Sequence, residues 1–205
     1  MKKLLIAILA LLSLTASAQE NAWEDKAQAA TAQNNPDAKY MAGAVPEVDG
    51  KVVFTKVIKA PGKTAQQLYD ALLKQMEYLT TDQNQVQPYQ SRMVIADAEK
   101  KQLIGSYQEW LVFKNTALVL DRTRFLYHLI GECSDGEVKL SLTRIVYIYE
   151  EERDPQTIVA EDWITDKQGL NKKQTKLARV SGKFRRKTID RKDFIFEKLN
   201  QSLTK

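Results

Sequence analysis

A strand, a tight turn and an amphipathic helix follow one another without a break between Lys51 and Leu79, and this unit constrains everything around it. Val52, Val53, Phe54, Val57 and Ile58 form a β-branched and aromatic run typical of a strand. Asp49-Gly50 before it and Ala60-Pro61-Gly62 after it are turn signals. Pro61 has no N–H to give a ladder and Gly62 tolerates positive φ, so the strand is predicted to stop there. Thr64 and Gln67 have the spacing of a capping box, in which each side chain satisfies a backbone N–H at the helix start. Ala65, Leu68, Leu72, Leu73, Met76 and Leu79 then recur at three and four, which places them on one helical face. Such a face must be covered by a sheet, so more strands are required.

The chain downstream supplies them. Arg92 to Ala96, Leu103 to Phe113, Leu120 to Gly131 and Val138 to Tyr149 read as four further strands. Phe125, Tyr127 and Leu129 alternate with Arg122, Arg124 and His128, as a half-exposed strand should. Leu103 to Phe113 is apolar on both parities, so its buried face stays unassigned. Asn115-Thr116 marks a turn, and Ser134-Asp135-Gly136-Glu137 is a hairpin signal. In the return strand Leu140, Leu142, Val146 and Ile148 share a parity. From Asp154-Pro155 the pattern turns helical: Ile158, Val159, Trp163 and Ile164 suggest a short amphipathic element. Asp190 to Leu203 reads as a final helix, with Ile195, Phe196, Leu199 and Leu203 on its apolar side. The expected fold class is α+β: strand, helix, four strands, helix, with an antiparallel sheet and helices on one face.

Upstream, Lys2 and Lys3 precede an apolar run from Leu4 to Leu14, followed by Thr15-Ala16-Ser17-Ala18. This is the order of a secretory signal peptide, with cleavage expected after Ala18. The run is shorter than the roughly 20 residues a transmembrane helix needs, and no later stretch is apolar enough to span. No cysteine lies near the cleavage site to carry a lipid anchor. The expected divisions are therefore a signal peptide over 1–18, a flexible leader over 19–47 and one domain over 48–205. Within the leader, Trp23, Tyr40 and Met41 are the residues able to dock on the domain. The expected location is the periplasm or the exterior.

Three phrases bring a family to mind: KYMAGAVPEVDGKVVFTKVI (Lys39 to Ile58), LSLTRIVYIYE (Leu140 to Glu150) and GKFRRKTIDRKDFIF (Gly182 to Phe196). Through them the chain resembles a family of secreted bacterial proteins catalogued as domain of unknown function 4468, with a TBP-like fold. The resemblance runs from about Lys39 to Leu203. It implies an antiparallel sheet backed by two helices, and it brings no catalytic residues. A TBP-like sheet in an exported protein does not imply nucleic-acid binding, because activity belongs to sites and not to folds.

The residues themselves offer little chemistry. His128 is the only histidine and Cys133 the only cysteine, which removes multi-histidine metal sites and any internal disulfide. A Cys–His pair is disfavoured: five residues along a strand span about 17 Å, and the two have opposite parity. Glu150-Glu151-Glu152 and Glu161-Asp162 are candidate carboxylates for hydrolysis, though adjacent acids at element ends are usually solvated charge. There is no phosphate-binding loop, dinucleotide turn or calcium loop. No catalytic residue, metal or cofactor is expected.

One compositional feature stands out. The segment 167–187 holds nine basic residues and no acid: Lys167, Lys172, Lys173, Lys176, Arg179, Lys183, Arg185, Arg186 and Lys187. Without Lys2 and Lys3 the chain has 29 basic and 26 acidic residues, a net charge of +3; without these nine as well it carries −6. The basicity is therefore local. Leu170, Leu177 and Phe184 recur at sevens, suggesting an amphipathic helix broken at Gly182. On such a helix Lys172, Lys173, Lys176 and Arg179 would share a face and form a candidate anion site. The competing reading is a solvated face that pairs with the protein's own acids, such as Glu150 to Glu152, with Arg185, Arg186 and Lys187 serving the fold. The functional expectation is a non-enzymatic binding or structural module of the envelope. Its partner would be an anionic envelope component or another protein. The alternatives are a polyanion or membrane-surface binder through the basic segment, and a carboxylate hydrolase.

Overall fold

The computed structural model describes residues 36–86 and 90–205. The expected signal peptide, and the leader as far as residue 35, lie outside them.

The strands are β1 (Glu47–Val48), β2 (Lys51–Lys59), β3 (Arg92–Asp97), β4 (Gln102–Thr116), β5 (Val119–Ser134), β6 (Glu137–Tyr149) and β7 (Gln156–Val159). The helices are α1 (Ala65–Leu79), the single turn α2 (Asp166–Gly169) and the long α3 (Ser181–Thr204). All seven strands form one sheet in the order β1-β2-β6-β5-β4-β3, with β7 also on β6. Every pairing is antiparallel. This is the expected α+β architecture, with two short strands added.

The capping box at α1 forms as its spacing predicts. Gln67 N donates to Thr64 Oγ1 at 3.2 Å, and Thr64 N donates to Gln67 Oε1 at 2.9 Å. Leu68, Leu72, Met76 and Leu79 are buried against the sheet. Each contributes about 1.5–3 kcal/mol by leaving water. Leu72 lies so close to β5 that a Cβ added at Gly131 would run into its Cδ2. On α3, Phe184, Thr188, Arg191, Ile195, Leu199 and Leu203 are buried.

The structure corrects four local expectations. In β6, Arg144 adopts φ 53° and the register slips between the Leu126 and His128 pairings. This bulge inverts the parity beyond it, so Ile145 and Tyr147 enter the core while Val146 and Ile148 do not. The β4–β5 turn is Ala117-Leu118, two residues later than expected. Gln156–Val159 is a strand, not a helix. β2 ends its pairing at Thr143 and β7 takes up the same side of β6 from Val146 to Tyr149, so open ladder groups are satisfied. Only Ala160–Asp162 coils, as a single 3-10 turn. Finally, α3 begins at Ser181 rather than Asp190 and runs through Gly182. An added Cβ at Gly182 would sit 2.8 Å from Leu177 Cβ, so glycine here permits close packing and does not break the helix.

The expected leader boundary at 47 also shifts. Tyr40 and Val45 are buried in the core. The Arg185 side chain, wholly buried, holds this segment down. It donates to Tyr40 O at 2.6 Å, Met41 O at 2.7 Å, Ile164 O at 2.7 Å and Asp166 Oδ1 at 2.7 Å. Tyr40 OH donates to Asp190 Oδ1 at 2.8 Å. The packed domain therefore includes residues well before 48.

Candidate functional site

The four candidate anion-binding residues do not lie on a helix. Lys172, Lys173, Lys176 and Arg179 sit on an exposed loop between α2 and α3. Leu170 and Leu177 form an isolated antiparallel bridge, so their seven-residue spacing closes a loop rather than marking helical turns. Asn171 organises the inside of that loop. Its Oδ1 accepts from Thr175 N at 2.9 Å and Lys176 N at 3.2 Å, and its backbone N donates to Lys176 O at 2.9 Å. Asparagine favours such side-chain-to-backbone turns over helix, which is why the helical reading fails. Gln174 takes positive φ at the bend.

The nine cations of 167–187 divide into two groups. Lys183 reaches Asp121 at 2.6 Å, Arg185 reaches Asp166 at 2.7 Å and Arg186 reaches Asp37 at 2.5 Å. These serve the fold, as does Lys183 Nζ on Tyr149 OH at 2.9 Å. Lys172, Lys173, Lys176 and Arg179 have no acid within salt-bridge reach among the described residues. Their charge faces solvent.

Glu150 to Glu152 do not compensate it. Glu151 pairs with Arg124, Glu152 with Arg122 at 3.3 Å and Glu150 with Arg153 at 3.9 Å. These acids line an open cleft of about 410 Å³ together with Trp110, Asp121 and Leu118 to Leu120. Arg122 stacks over Trp110 with its guanidinium carbon 3.9 Å from the ring centre. Glu161, the other candidate carboxylate, accepts from Val52 N at 3.0 Å and anchors β2. Asp162 is exposed in the 3-10 turn.

His128 and Cys133 point to opposite faces of β5. His128 is half-buried on the face without helices. Burial, then Arg144 and Arg92, hold its pKa below the ordinary histidine value. Cys133 lies in the core, and burial pushes its thiol up to about 11. That is the opposite of the activation a nucleophilic cysteine needs.

The strongest polar interaction was hidden in the sequence. Glu109 on β4 and Arg191 on α3 are both fully buried. Glu109 Oε1 also accepts from Tyr127 OH at 2.6 Å and Gln85 Nε2 at 2.9 Å. Burial opposes the charge on Arg191, but Glu109 outweighs it and raises the guanidinium above its usual value. Both residues occupy apolar-stripe positions: Glu109 between Tyr107 and Leu111, Arg191 between Thr188 and Ile195. That placement is the signal by which a sequence reading finds them. Among the described residues, no group of three or more His, Cys, Asp and Glu is placed to hold a metal ion.

Comparison with known proteins places this architecture. The family described as a domain of unknown function (DUF4468) with TBP-like fold matches residues 54–148. A crystal structure of a DUF4468 family protein from Bacteroides ovatus is 38% identical, superposes with a TM-score of 0.75, and matches over 84% of this chain and 97% of its own. The chain belongs to the DUF4468 family. A TBP-like protein from Parabacteroides distasonis, at 18% identity and TM-score 0.64, covers 78% of this chain and 96% of its own, and shows the shared fold. No curated protein matches. The family match spans β2 to β6, the sheet and α1. The basic loop and α3 lie beyond it in sequence.

Proposed function

We propose that this DUF4468 member is an exported, non-enzymatic binding module of the cell envelope that recognises a polyanion through the loop 170–180. The observation that carries the reading is the division of the basic segment. Lys183, Arg185 and Arg186 are each given an acid, while Lys172, Lys173, Lys176 and Arg179 are left without one on a loop ordered by Asn171. Fixed, uncompensated charge attracts anions over a screening length of about 8 Å at physiological salt. A chain whose remainder is net negative gains this attraction only at that place. Export is supported by the Lys2-to-Ala18 pattern. The carboxylate-hydrolase alternative is weakened because Glu151 and Glu152 are each engaged by an arginine.

Retention on a heparin-like resin tests the reading. Wild type is expected to bind at low salt and elute as salt rises. Replacing Lys172, Lys173, Lys176 and Arg179 together by Gln is expected to abolish retention with an unchanged fold. Equal retention of the quadruple variant would overturn the assignment.

A further inference from the structure

The β4–β5 turn is unusual in what it exposes. Two-residue hairpin turns favour Asn-Gly or Asp-Gly, which are polar and tolerate positive φ. Here the turn is Ala117-Leu118, and three successive apolar side chains stand in solvent: Leu118 is 95% exposed, Val119 43% and Leu120 51%. Val180, just before α3, is 54% exposed. Nothing in turn formation asks for these residues.

This apolar tip lies beside the basic loop. Asp121, the residue after Leu120, holds Lys183 in the first turn of α3. Phe113, near the other end of the turn, packs its ring centre 4.6 Å from that of Phe184. Phe113 also lines a cleft of about 320 Å³ with Leu177, Arg179, Lys183 and Lys187. One end of the domain thus presents aliphatic side chains next to cations that have no internal acid.

We propose that this end docks on the surface of an anionic lipid bilayer, with Leu118, Val119 and Leu120 entering the headgroup region and Lys172, Lys173, Lys176 and Arg179 pairing with lipid phosphates. The proposal rests on the polyanion reading and names its target. Apolar insertion combined with basic attraction is the usual chemistry of interfacial binding, and neither part alone is strong. The charge distribution also orients the approach. The remainder of the chain is net negative and is repelled by the same surface that attracts the loop. The tip therefore arrives first. No described helix is long and apolar enough to cross a membrane, so the contact is peripheral.

Flotation with phosphatidylcholine vesicles, with and without phosphatidylglycerol, tests this alongside heparin-resin retention. Wild type is expected to float only with the anionic vesicles at low salt, and to bind the resin. The double variant Leu118→Ser with Leu120→Ser is expected to keep full resin binding while losing vesicle binding about tenfold. The quadruple Gln variant is expected to lose both. All these side chains are exposed, and an unchanged melting curve verifies each fold. If wild type binds resin but not anionic vesicles, or if the tip variant floats as well as wild type, the bilayer proposal fails and the polyanion reading stands. If wild type binds neither at low salt, both fail.

Discussion

Arg191 and Glu109 face each other inside the domain, Nε to Oε2 at 2.6 Å and Nη2 to Oε1 at 3.0 Å, and neither side chain reaches solvent. The contact joins α3 to the centre of the sheet. Removing one partner strands a buried charge, which costs about 3–5 kcal/mol. Glu109→Ala is therefore expected to lower the chemical-denaturation midpoint sharply. Replacing both residues by apolar ones of similar volume is expected to recover most of the loss. A Glu109→Ala variant as stable as wild type would contradict the buried pair.

Leu72 gives a test of packing without charge. It is fully buried and meets β5 over Gly131. Leu72→Ala is expected to cost about 2–5 kcal/mol, read from equilibrium unfolding. A small effect would mean that the α1 face is not closed by the sheet.

Arg185 makes a local prediction. Its four acceptors tie residues 40 and 41 to α3 and to the loop at 164–166. Arg185→Met is expected to destabilise by at least about 2 kcal/mol, since hydrogen bonds to a charged group are lost. It should also abolish hydrogen-exchange protection at Tyr40 and Ala44 before protection in β5 changes. Uniform loss of protection throughout the domain would argue against a localised clamp.

His128 predicts a pH dependence. Burial, Arg144 and Arg92 lower its pKa in the folded state below the 6.5 of the free group. Between those two values the unfolded chain binds more protons, so stability is full above about 6.5 and falls as pH drops towards the folded value. His128→Gln is expected to flatten the midpoint between about pH 7 and pH 5 relative to wild type. Identical profiles would mean that His128 titrates alike in both states.

Intact-mass analysis of protein recovered from the envelope or medium tests export. The expected species begins at Gln19, and a mature form retaining Met1 to Ala18 would overturn the assignment.

The sequence was most legible where several local signals agreed. Turn, strand, stop and capping box coincide at Asp49 to Leu79, and that unit appears as expected. Legibility failed where tertiary contacts set the local structure. Nothing in Leu140 to Tyr149 announces the bulge at Arg144, because alternation looks continuous through it until the register is seen. Gln156–Val159 is a strand because β6 offers it an unpaired edge, not because of its own propensity. In the basic segment, the sevenfold spacing of Leu170 and Leu177 has two physical origins, a helix repeat or a closed loop, and Asn171 selects the loop. The four exposed cations were read correctly as residues and wrongly as a helical face.

Three of the four groups that receive Arg185 are main-chain carbonyls. The fastening therefore does not depend on which side chains residues 40, 41 and 164 carry. It also lies upstream of β1, the first strand of the sheet. Tension applied through whatever precedes Pro36 reaches α3 at this fastening before it reaches the β1–β2 edge. Arg185 acts as a strain relief, so that a pull on the amino-terminal side loads a helix first and does not unzip the sheet from its rim.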